Sequence, residues 1–262
     1  PPPPPSPPPP PPHTNTPRLS SAASDVYKRQ ARGGGPTGGR YRRRLPSAGA
    51  EAWVTRSTWP VTLSEPPVEL RPLRYRDARA WDEVRRRNRD WLVPWDATSP
   101  VPGAAPVSFR GMVRRYNAQA RQGEALPWVL AVDGDLAGQV NVGGIVRGSA
   151  QSAHIGYWIG REFAGHSYVP TGVAMAIDYC FGALRLHRVE INIRPENAAS
   201  LRVVEKLGLR PEGTRAKYLH IDGDWRDHLC FAITAEEVPD GLLHRWRRDT
   251  PPRLPSSERT GP

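Results

Sequence analysis

The 262 residues are enough for one or two domains, but the first 12 hold 11 prolines and the stretch up to about Pro67 is rich in Ser, Gly, Pro and Arg. Such a segment cannot bury enough apolar surface to offset its ordering entropy, which leaves one folded unit of roughly 180 residues. The net charge of +11 is concentrated there too: residues 1–64 carry nine Lys or Arg against Asp25 and Glu51, so the charge reads as a solvated tail.

The expected organisation is a disordered tail over 1–60, a folded domain over 61–247 and a disordered C-terminal tail over 248–262. The run RYRRRL (40–45) lacks the aromatic interleaving or helical pattern of a nucleic-acid arm, so no direct nucleic-acid binding is expected. SDVYKRQ (24–30) resembles translated adapter sequence, and the chain does not begin with Met; no function is read from this tail.

In chain order, VELRPL (68–73) reads as a strand and YRDARAWDEVRRRNRDWL (75–92) as an amphipathic helix with Ala78, Trp81, Val84 and Asn88 at helical spacing. Asp77 is placed to favour that helix's N-terminus. The prolines of VPWDATSPVPGAAP make a loop; Ser108 is an N-cap and Gly123 a stop for a second helix. PWVLAV and LAGQVNVGGIV, joined by Asp-Gly, predict a hairpin, and SAHIGYWIG (152–160) a third antiparallel strand. A helix over about 171–181 then leads to the strand HRVEINIR (187–194), the helix NAASLRVVEKLG (197–208), and two strands around an IDGDW turn. This order predicts an α/β sandwich with a mixed sheet.

Strand alternation puts Ile155, Tyr157 and Ile159 on one face and His154, Gly156 and Trp158 on the other. On 187–194 it groups Val189, Ile191 and Ile193 against Arg188, Glu190 and Asn192. A right-handed crossover helix would make these two strands parallel. Polar Glu190 and Asn192 on an inner strand then face a cleft or cap a loop. Between the first strand and the following helix lies AGHSYVPTG (164–172), where unpaired helix amides attract anions, although Gly165 is the only glycine inside the turn.

Three stretches together resemble the GNAT family of acetyl-CoA-dependent N-acetyltransferases, and within it the RimJ/RimL type that acetylates protein N-termini: GYWIGREFAGHSYVPTGVAMAIDYCF, RPENAASLRVVEKLGLRPEG and YLHIDGDWRDH. The resemblance spans about Trp59 to Trp246. It implies a mixed central sheet splayed between two parallel strands, with helices on both faces. It also implies acetyl-CoA as co-substrate and acetyl transfer to an amine, above all the α-amino group of a ribosomal protein. Acetylation of a small amine (an antibiotic or a polyamine) and a silent CoA-binding module stand as alternatives.

The family loop, Arg/Gln-x-x-Gly-x-Gly/Ala, is matched here by Ala164, Ser167 and Val169, all departures. If φ at Ser167 is positive, serine costs about 1 kcal/mol or more there. By the resemblance, backbone groups of Tyr157, Trp158 and Ile159 hold the pantetheine arm. The amides of Gly165, His166, Ser167, Tyr168 and Val169 take phosphate, and Asn197 opens the second cofactor segment while capping its helix.

Amine attack on a thioester needs a base, an oxyanion donor and a proton for the thiolate. A backbone N–H near Trp158 or Ile159 is the expected oxyanion donor. Glu190 is the first-choice base, its pKa expected to be raised by partial burial, or else a structural hydrogen-bonding group. His154 is the alternative base, or a structural histidine. The tyrosine that many relatives use as acid is replaced by Val204, whereas Ser200 matches a RimL-type serine and could hydrogen-bond the departing sulfur. Tyr218 is a further candidate. Asp227 and His228 either orient the acceptor or tie the hairpin down, and Trp91 and Trp95 either wall a peptide groove or lie in the core. HRVE (187–190) is not a metal site, and no metal is expected. Cys180 and Cys230, in apolar runs without ligand spacing, and the lack of a run of ~18 apolar residues lead us to expect a cytoplasmic, non-membrane protein, monomer or dimer.

Overall fold

The structure, a computed structural model, describes residues 59–101 and 107–249; most of the two expected tails and the end of the proline loop lie outside the described residues. Among the described residues, eight strands form one sheet in the order β1-β2-β3-β4-β5-β6-β8-β7. They are β1 Leu63–Glu65, β2 Val68–Pro72, β3 Leu126–Val132, β4 Asp135–Val146, β5 Ser152–Ile159, β6 Arg188–Ile193, β7 Arg210–Ile221 and β8 Asp224–Thr234. All pairs are antiparallel except β5 with β6. The helices are α1 Ala78–Arg87, α2 Arg89–Leu92, α3 Phe109–Gln122, α4 Tyr168–Gly182, α5 Ala198–Lys206 and α6 Leu242–Asp249.

Alternation in the strands divides the core between two faces. On one face Val140, Val142, Ile155, Val189 and Ile191 pack with Val173, Ile177 and Cys180 of α4 and with Leu242 and Trp246 of α6. On the other, Val129, Ala131 and Leu136 pack with Val84 of α1 and Val113 of α3, with Trp81 and Trp158 at the edge. Helices on both faces of a mixed sheet are the expected architecture. Both cysteines are free and buried, and burial pushes the Cys180 thiol up to about 12.

Local chemistry explains most boundaries. Ser108 Oγ accepts from the Gly111 amide at 3.1 Å and caps α3. Asp133-Gly134 and Asp222-Gly223 take the left-handed conformations that tight hairpin turns need.

The helix expected over 75–92 is instead broken in two. Asn88 leaves helical geometry, and its side chain reaches across the molecule, accepting from the Arg161 amide at 2.8 Å and donating to Glu162 Oε2 at 3.0 Å. Helical spacing cannot report that distant claim on Asn88. Asp77 is likewise not a helix-end charge alone. It is buried, accepts from both terminal guanidinium nitrogens of Arg71 at 2.8 and 3.1 Å, and accepts from the Arg74 amide at 2.7 Å. The short strand β1 and the C-terminal helix α6, neither of them expected, complete the fold. Asp178 holds α6 by accepting from the amides of Leu242 and Leu243 at 2.6 and 3.0 Å.

Candidate active site

The parallel β5–β6 ladder holds for three pairs only, Ser152↔Arg188, Ala153↔Val189 and His154↔Glu190. Beyond them the strands part, and a cleft of about 690 Å³ opens between the rest of β5, the rest of β6, the N-termini of α4 and α5, and the β7–β8 hairpin.

The Gly160 amide donates to Ala137 O at 2.8 Å, and the Trp158 carbonyl points at Gly138. Both groups therefore face β4. Because backbone groups alternate along a strand, those of Tyr157 and Ile159 face the open side. The Trp91 indole donates to the Ile159 carbonyl at 3.0 Å, so the N–H groups of Tyr157 and Ile159 are the donors that face the open side. The expectation for Trp158 is corrected accordingly: it lines the cleft, but its backbone is occupied by β4 and its indole donates to Gln139 Oε1 at 3.2 Å. Gly138 is indispensable to this arrangement, since a Cβ there would stand 2.1 Å from the Trp158 oxygen.

At one end of the cleft, Gly165, Ser167, Tyr168 and Val169 line the wall where α4 begins. Ser167 has φ 65°, the left-handed value expected to carry a cost, and Gly165 has φ 84°. The Ser167 side chain makes no capping bond; its carbonyl accepts from both the amide and the hydroxyl of Thr171. The first-turn amides of Tyr168 and Val169 have no partner within the helix and are free for an anion. His166 does not line the cleft; its ring stacks on Tyr168 at 5.4 Å.

Across from this loop, Asn197 caps α5, accepting from the Ser200 amide at 3.0 Å, and the Ser200 carbonyl accepts from the Tyr157 hydroxyl at 3.2 Å. Burial drives the Tyr157 phenol above its ordinary pKa, so it serves as a neutral tie between β5 and α5. Arg202 and Lys206, one helical turn apart on α5, line the same wall; the sequence alone did not single out these two cations. Amides, a helix N-terminus and two cations suit a pyrophosphate. A thioester bound with its phosphates here would supply an activated acetyl group to the splayed half of β5.

The other end is lined by Trp91, Leu92, Trp95, Gln139, Asn141, Asn192, Leu219, Ile221 and His228. Trp91 and Trp95 thus wall the cleft, Arg194 lying over the Trp95 ring at 5.3 Å. Both acidic side chains of the lining are engaged by arginines, Asp96 by Arg85 and Glu196 by Arg194 at 3.1 Å. Asp227 does tie the hairpin down, accepting from the Lys217 amide at 2.8 Å at a bulge in β7.

Three catalytic candidates lie outside the lining. Glu190 sits on the last paired rung, donated to by Arg188 at 3.0 Å and by Arg215 at 2.7 Å. Burial alone would raise its pKa, but the two guanidiniums outweigh it and the carboxyl is held below the ordinary value, the reverse of the expectation for a base. His154, opposite Glu190, lies against Gly143 and Gly144, and burial lowers its pKa. Tyr218 is covered by the Arg215 guanidinium at 4.9 Å and meets the edge of His228 at 5.7 Å. Asn192, beyond the paired rungs, does reach the cleft and accepts from Cys230 Sγ at 2.9 Å. Among the described residues no group of three or more His, Cys, Asp or Glu is arranged to hold a metal ion, and no helix is long and apolar enough to cross a membrane.

A mixed sheet splayed beside a helix N-terminus is the geometry of an acetyltransferase, and comparison with known proteins agrees. Residues 68–210 match the family described as Acetyltransferase (GNAT) domain, and the chain belongs to that family. It is 30% identical over 183 residues to the [ribosomal protein uS5]-alanine N-acetyltransferase of Escherichia coli, covering 69% of this chain and 94% of that protein. It is 31% identical over 168 residues to the probable N-acetyltransferase YjcK of Bacillus subtilis, covering 63% and 93%. Among solved structures, Mycobacterium smegmatis RimJ in complex with CoA-disulfide superposes with a TM-score of 0.67 at 40% identity, over 71% of this chain and 93% of that one.

Proposed function

We infer that the chain transfers acetyl from acetyl-CoA to the N-terminal α-amino group of a protein, a ribosomal protein being the favoured substrate. The observation that carries this reading is the charge of the acceptor end: its only carboxylates among the described residues, Asp96 and Glu196, are already paired with arginines. A polycationic amine would find no free carboxylate there. A single ammonium on an otherwise uncharged peptide end suits walls of Trp91, Trp95, Leu219 and Ile221 with amides from Gln139, Asn141 and Asn192. The uS5-alanine relative supports the same substrate class.

In this reading the amides of Gly165, Ser167, Tyr168 and Val169, with Arg202 and Lys206, hold the phosphates. The Ile159 N–H faces the negative charge that develops on the carbonyl oxygen, and Ser200 stands at the departing sulfur.

The test is acetyl-CoA titration calorimetry on the full chain, followed by thiol release with Ala- and Ser-starting ribosomal peptides, spermidine and an aminoglycoside. Saturable binding with peptide-dependent release is expected. Release with spermidine or the aminoglycoside alone would replace the acceptor assignment, and no binding would leave a silent module.

A further inference from the structure

With Glu190 ion-paired to two arginines and His154 away from the cleft, the acceptor end holds, among the described residues, one titratable side chain free of an ion pair. His228, on β8, is 2% exposed and lines the cleft. Its Nδ1 stands 3.0 Å from the carbonyl oxygen of Arg226. A carbonyl only accepts, so Nδ1 carries the proton and Nε2 keeps its lone pair. The ring is held from the side by the edge contact with Tyr218, itself pinned by Arg215.

We propose that His228 is the catalytic base of the acetyl transfer, its Nε2 removing a proton from the acceptor ammonium. This rests on the acetyltransferase reading above. The Nε2 lone pair takes one N–H proton, giving the neutral amine and an imidazolium that still donates through Nδ1 to Arg226. The amine nitrogen then bonds to the carbonyl carbon as the carbon–sulfur bond breaks, and its second proton passes to the sulfur. The imidazolium returns its proton to water, so one proton is released overall.

The charged surroundings suit this cycle. Burial lowers the pKa of His228 and Arg194 adds to this, while the hydrogen bond to Arg226 O and the carboxylates of Glu196 and Asp227 oppose it. The net effect is a neutral ring at physiological pH. Asn at this position can keep the bond to Arg226 O while lacking Nε2, so it separates chemistry from packing.

For His228→Asn in the full chain, kcat on the best acceptor should fall about 100-fold or more, with acetyl-CoA affinity by calorimetry unchanged. The acid limb of the kcat/KM profile, set by a group below the ordinary histidine range, should vanish. Activity within threefold of the parent, with the acid limb retained, would overturn the proposal. If the parent acetylates only a small amine, the acceptor reading fails while the same comparison still tests His228 on that amine. Nitrogen-15 NMR of the imidazole gives a readout independent of turnover: an Nδ1–H tautomer titrating below the ordinary value is expected, and an Nε2–H tautomer overturns the assignment. A parent inactive on every amine overturns both readings.

Discussion

The paired and the parted halves of the β5–β6 ladder carry the same alternation of side chains and put it to opposite uses. Over Ser152–His154 and Arg188–Glu190 the strands satisfy one another's backbone groups, and the outward polar residues close into ion pairs running from Arg215 through Glu190 and Arg188 to Glu212. Over Ile155–Ile159 and Ile191–Ile193 the strands diverge, and the backbone of Tyr157 and Ile159, with the side chain of Asn192, becomes the wall of a cleft. Two residues apart on one face of one strand, Glu190 is held in ion pairs and Asn192 faces the cleft. A polar residue on an inner strand therefore marks a site only where the neighbouring strand has left.

This contrast can be broken most severely at Gly138, which lets β4 lie against the parted half of β5. Gly138→Ala sets a methyl against the Trp158 carbonyl and should cost about 3 kcal/mol in urea unfolding, the upper end for overpacking. A change below about 1 kcal/mol would mean that β4 and β5 adjust freely.

Next, Glu190→Gln should cost about 1–2 kcal/mol, between exposed and buried pairs, because its partners Arg188 and Arg215 are only part-buried. Its folded pKa is depressed. The stability it contributes is therefore complete above the ordinary glutamate pKa and is lost as pH falls through the lowered folded value. Parent and variant unfolding curves measured across acidic pH should converge at the low end. A hundredfold loss of turnover at neutral pH with the fold intact would return Glu190 to the chemistry.

In the parted half, Ser167→Gly removes the left-handed serine and should raise stability by about 1 kcal/mol. It should also tighten acetyl-CoA severalfold by calorimetry, since backbone then approaches phosphate without a side chain between. Weaker binding in the glycine variant would show that the Ser167 hydroxyl is itself a ligand. The smallest effect is expected for Trp91→Phe, which keeps an aromatic wall but frees the Ile159 carbonyl. About 1 kcal/mol or less of stability should be lost, with KM for the peptide rising more than kcat falls.

Much of this architecture was legible beforehand. Apart from β1, α6 and the break at Asn88, the order of strands and helices follows from periodicity, and the two Asp-Gly hairpins and the Ser108 cap follow from turn and cap chemistry. These are properties of a few consecutive residues. Ser167 stood out as a departure from the loop pattern that the resemblance implies, and its φ of 65° meets the condition under which a serine carries a cost. Less legible were the break at Asn88, claimed by Arg161 and Glu162 from 73 and 74 residues away, and the role of Arg202 and Lys206, which matters only once α5 faces α4.

By itself, then, the amino-acid sequence determined the fold class and the residues on each strand face, because backbone geometry ties both to local spacing. Only the tertiary structure decided which polar residues reach the cleft. Pairing ends after His154↔Glu190, two arginines from β6 and β7 occupy Glu190, and the hairpin delivers His228 instead. Strand register, ion pairing and burial depend on segments far apart in the chain, and no local spacing encodes where they meet.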